Sequence, residues 1–63
     1  MTKLESTVRK TLKQYGETDP RFLDEMGAKV LKAIDKNLAA GTIERADEKV
    51  IGRLCFMVID SYY

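Results

Sequence analysis

Six consecutive apolar residues, Leu54 to Ile59 (LCFMVI), stand close to the end of a chain of only 63 residues. A helix lying on the surface of its own protein carries an apolar stripe, whereas one that is apolar nearly all round has to be surrounded. The stretch therefore poses the question of what covers it. A chain this short makes one domain at most and buries only about 60% of the surface its unfolded form exposes. Domains of that size are commonly reinforced by disulfides, a metal or a partner. Cys55 is the single cysteine, so no disulfide forms within the chain, and with no histidine present a Cys/His metal site is nearly excluded. Closely packed helices or association remain, and 44% hydrophobic with 33% charged residues suits both.

Chemical punctuation divides the chain into three helical segments. Thr2-Lys3-Leu4-Glu5 forms a capping box, in which the Thr2 hydroxyl accepts from the Glu5 amide. Leu4, Val8, Leu12 and Tyr15 follow on one face, and Gly16 supplies a left-handed stop. Asp19-Pro20 opens the second segment with an N-cap and a proline at the first helical position. Phe22/Leu23, Met26, Val30, Ile34 and Leu38 recur at helical spacing until Gly41. Thr42 is the expected cap of the third segment, leaving a link of essentially Gly41-Thr42 and making the two long helices neighbours, antiparallel or splayed.

In the third segment Ile43, Ala46, Val50, Leu54 and Met57 make one stripe, and Ile51, Cys55, Val58 and Tyr62 a second beside it. Phe56 and Ile59 fall outside both. The aromatic and β-branched residues of CFMVI also suit a strand. A strand here would find no partner in this chain, so the periodicity running from Ile43 predicts helix through about Asp60. The expected fold is all-α, a single domain over residues 1–63 with helices about 3–15, 20–40 and 43–60. A short N-terminal helix joins a long helical hairpin, and the whole forms a homodimeric bundle.

The dimer follows from cover. Once the first two helices have packed, a strip around Phe56, Ile59 and a terminal tyrosine still looks outward, and exposed apolar patches of that kind mark interfaces. The expected dimer or partner interface comprises Leu54, Phe56, Met57, Ile59, Tyr62 and Tyr63. The competing arrangement is a monomeric bundle with the third helix central and the termini folded over it. Gly27 and Gly52 fit close passage of a neighbouring helix, which would offset the roughly 1 kcal/mol a helical glycine costs. The bland alternative leaves both exposed.

No catalytic constellation is visible. Cys55 lacks a histidine base and lies in an apolar run, where a thiol acts as a small hydrophobe. The carboxylate pairs Asp24/Glu25 and Asp47/Glu48 are neighbours in sequence, about 100° apart on a helix, and read as solvated surface. No cofactor or metal is expected, and no enzymatic activity. Arg45, Lys49 and Arg53, spaced by four, would form a basic ridge able to track phosphates. Glu44, Asp47 and Glu48 interleave with it, and a net charge of +1 gives no global pull toward nucleic acid, so that partner ranks below a protein. LCFMVI is too short for a bilayer and Met1 to Gln14 has no signal-type apolar core, so no membrane partner and a cytoplasmic setting are expected.

The run MGAKVLKAID, the Ala-Ala-Gly break and the closing VIDSYY resemble the short all-helical accessory proteins of enteric bacteria and lambdoid temperate phages, with Gly27, Val30 to Lys32, Glu48, Lys49 and Tyr62 as scattered matches. The resemblance implies a small modulator that acts by binding and carries over no functional residue. Together these readings describe a cytoplasmic regulatory protein that dimerises and docks onto another protein.

Overall fold

The computed structural model describes residues 2–63 and is all-helical, with no strand among them. Helix α1 spans Lys3–Gln14, α2 spans Pro20–Ala40 and α3 spans Glu48–Tyr62. The start of α1 is capped as its sequence demands: the Glu5 amide donates to the Thr2 hydroxyl at 3.1 Å. At its end the Glu17 amide reaches back to the Leu12 carbonyl, a turn that places Gly16 at φ +102°. Asp19 caps α2 through the Arg21 amide at 2.9 Å, with Pro20 opening the helix, and Gly41 closes it at φ +76°. All these bonds occupy backbone groups that helix termini otherwise leave without partners.

The third helix begins five residues later than the spacing predicts. Thr42 does not cap it; its hydroxyl turns back to Asn37, 2.6 Å from the side-chain oxygen and 3.2 Å from the carbonyl. The cap is Asp47, whose carboxylate accepts from the Val50 amide at 2.9 Å, with Glu48 in the first turn. An aspartate at the N-cap followed by an acidic first turn outcompetes a threonine, because it satisfies an orphan amide and complements the positive end of the helix dipole. The link is therefore Gly41 to Asp47, and Ile43 and Arg45 lie in it instead of on a helix.

Contacts between helices give the path. Cys55 lies against the Val8 carbonyl, and the Phe22 and Tyr62 rings meet edge to face 6.1 Å apart, so α2 and α3 run antiparallel. Arg9 pairs with Asp24 across α1 and α2 at 2.5 Å. The molecule measures 32 × 25 × 17 Å, its long dimension matching the length of α2 at about 1.5 Å per residue.

Val8 and Leu12 from α1, Leu23, Met26, Val30 and Ile34 from α2, and Ile51 and Cys55 from α3 form the core. On α3 the buried face is thus the stripe of Ile51 and Cys55, flanked by half-buried Val58 and Tyr62. From the other stripe, Leu54 packs at the core's edge, Val50 is half-buried and Met57 is exposed. The late start of α3 explains this choice. Without Ile43 on the helix, the first stripe loses its leading residue, and the second presents the more continuous face.

Candidate functional site

At about 100° per residue, the apolar residues of α3 outside the core divide between two flanks. Phe56, Ile59 and Tyr63 lie on the flank toward α1, and Leu54 and Met57 on the flank toward the 41–47 link. Ile59, Leu54 and Tyr62 are half-buried against the chain's own core. Phe56 is 61% exposed, Met57 57% and Tyr63 84%. Three residues of the expected interface are thus taken up largely within one molecule, and three face outward.

The outward face of α3 is made of Lys49, Arg53, Phe56, Met57 and Asp60, all exposed. Arg53 and Asp60 lie between Phe56 and Met57 in the helical projection, so two large apolar side chains border two opposite charges. Phe56 is steadied by the Tyr15 ring, which meets it edge to face at 6.4 Å and is itself half-exposed. Such a pair contributes roughly 0.5–1.5 kcal/mol beyond area burial and enlarges the apolar patch toward α1.

Gly52 lies on this flank beneath the end of the Tyr15 side chain. A Cβ there would come within 3.1 Å of the Tyr15 hydroxyl, so the close neighbour is a side chain, not a passing helix. Gly27 has no atom within 4 Å of an added Cβ. It borders a shallow cleft between α1 and α2, beside Glu5, Arg9 and Asp24. The expectation of close helix passage fails at Gly27, because α1 crosses α2 with enough clearance to leave that cleft open.

The basic ridge does not form as one helical row. Arg45 lies in the link before the Asp47 cap, while Lys49 and Arg53 are on α3. A spacing of four places residues on one face only where the helix is continuous.

One constellation escaped the sequence reading. Glu17, in the turn after α1, is only 7% exposed, and its carboxylate accepts from the Asp19 amide at 3.0 Å and from the Tyr63 hydroxyl at 2.7 Å. This clips the end of α3 to the α1–α2 turn. The hydrogen bond to Glu17 is the main cause that raises the Tyr63 pKa above its ordinary value, with desolvation and the negative charges of Glu17 and Asp19 adding to it. Tyr62 contrasts with it: its ring packs on Phe22, with the Lys29 ammonium 4.6 Å from the ring centre, but its buried hydroxyl has no hydrogen-bond partner among the described residues.

Cys55 is fully buried, and burial pushes its thiol up to about 11. At neutral pH it is a protonated core side chain rather than a nucleophile. Among the described residues no cluster of three acidic or thiol groups is placed to hold a metal ion. None of their helices is long and apolar enough to cross a membrane.

Comparison with protein-family models, with curated proteins and with solved structures finds no match for this chain. The functional reading therefore stands on the surface itself.

Proposed function

We propose that this chain is a small, non-enzymatic cytoplasmic regulator that self-associates through α3 and acts by binding another protein. The observation that carries the reading is the exposure of Phe56 and Met57, at the two borders of the outward face of a helix whose other face fills the core. Burying each side chain contributes about 1.5–3 kcal/mol, and two-fold symmetry doubles the gain. A thiol held protonated in the core, on a chain without histidine, supports a binding role over catalysis.

Sedimentation across a concentration series tests this. The wild-type chain is expected to reach a reversible dimer at high micromolar concentration, and Phe56→Ser with Met57→Ser to weaken it by at least ~100-fold. A wild-type chain that stays monomeric throughout defeats the reading. Nucleic acid is the lesser candidate, since only Lys49 and Arg53 remain on the helix to follow phosphates.

A further inference from the structure

The outward face of α3 has a symmetry of its own. Arg53 and Asp60 share a midpoint with Phe56 and Met57, and all four side chains are exposed. From this we infer that the occupant of the face is a second copy of the chain, with the two α3 helices antiparallel about a two-fold axis passing between Phe56 and Met57. In that arrangement Arg53 of each chain meets Asp60 of the other, two pairs in all, while Phe56 packs on Phe56 along one flank of the seam and Met57 on Met57 along the other. A parallel pairing would instead set Arg53 on Arg53 and Asp60 on Asp60. The inference rests on the self-association proposed above and specifies its geometry.

Two further observations favour the antiparallel form. Among the described residues the ion pairs are Arg9 with Asp24 and Arg21 with Asp19, and neither Arg53 nor Asp60 takes part in one. Asp60 also sits in the last turn of α3, where no basic residue is present and the helix dipole is negative. An anion there is disfavoured in the single chain, and an arginine from a partner relieves it. Isologous contact of this kind closes on itself, so it yields a dimer and not a filament.

Charge exchange distinguishes the outcomes. Arg53→Asp and Asp60→Arg each set like charges against one another twice in the antiparallel dimer. Each is expected to weaken dimerisation by about 10-fold or more in low salt. The double variant restores opposite charges across the axis and is expected to return to within about 3-fold of wild type. Both positions are exposed, and circular dichroism verifies that each variant keeps its helices. A wild-type dimer indifferent to the single exchanges, or a double variant no better than the singles, overturns this geometry while leaving self-association intact. A wild-type monomer overturns both.

Discussion

Glu17 and Tyr63 show how a single residue pair can tie remote parts of a small chain. Sitting 46 positions apart, they meet at 2.7 Å, and the carboxylate holds the phenol proton. The Tyr63 pKa is therefore higher in the folded state than in the unfolded one, first through that hydrogen bond and then through desolvation and nearby negative charge. The sign follows from linkage: the contribution is fully present below the ordinary tyrosine value and is lost as pH rises through the raised folded value. Ultraviolet titration should show one phenol ionising later in the folded chain, and Tyr63→Phe should remove that late component. Glu17→Gln should shift it back toward the ordinary value, because a neutral amide neither holds the proton as strongly nor repels the phenolate. A late component unchanged in Glu17→Gln would refute the assignment. Nothing in the sequence pointed to this clip. Glu17 lies in a short polar turn, Tyr63 at the chain's end, and no periodicity relates a turn residue to a helix terminus. Of the strip expected to look outward, Phe56 was legible from helical spacing; Ile59 is half-buried, and Met57, which spacing put in the first stripe, is exposed because the core turned onto Ile51 and Cys55.

The same contrast holds for whole elements. Helices α1 and α2 were legible almost to the residue because each boundary carries a chemical mark in immediate contact with it: Thr2, Gly16, Asp19 with Pro20, and Gly41. The start of α3 was misplaced because two caps compete there. Spacing favoured Thr42, since Ile43 and Ala46 continue the apolar period. The decision lies in hydrogen bonds that period does not register: Thr42 is already engaged by Asn37, and Asp47 has the free amide of Val50 before it. That single shift also removed Arg45 from the helix and rotated the core onto Ile51 and Cys55. The assignment is testable by cap deletion. Asp47→Ala should cost about 1 kcal/mol, within the usual 0.5–2 kcal/mol for losing an N-cap, and lower the melting temperature by roughly 4–8 °C. Thr42→Ala should leave α3 intact and cost less, since its hydroxyl only braces the end of α2. Equal losses, or a larger one at Thr42, would restore the earlier start.

At the scale of the molecule the governing fact is that three helices of this length enclose only one small core. A chain of 63 residues at the usual 0.05–0.15 kcal/mol per residue has roughly 3–9 kcal/mol of stability in total. Ile34, the last core residue along α2, is fully buried. Ile34→Ala should cost about 2–5 kcal/mol, a large part of the whole, and depress melting by about 10–30 °C. The deficit makes association visible as stability, because a partner that binds only the folded form raises its apparent melting point with concentration. Thermal melts of Ile34→Ala across a concentration series should therefore climb, the folded fraction being drawn forward by pairing through α3. Adding Phe56→Ser and Met57→Ser to the same chain should flatten that climb, since those residues lie outside the core and their loss leaves Ile34's cavity unchanged. A climb that persists without them would place the contact elsewhere on the molecule. Melts independent of concentration in both chains would mean that the bundle stands or falls alone.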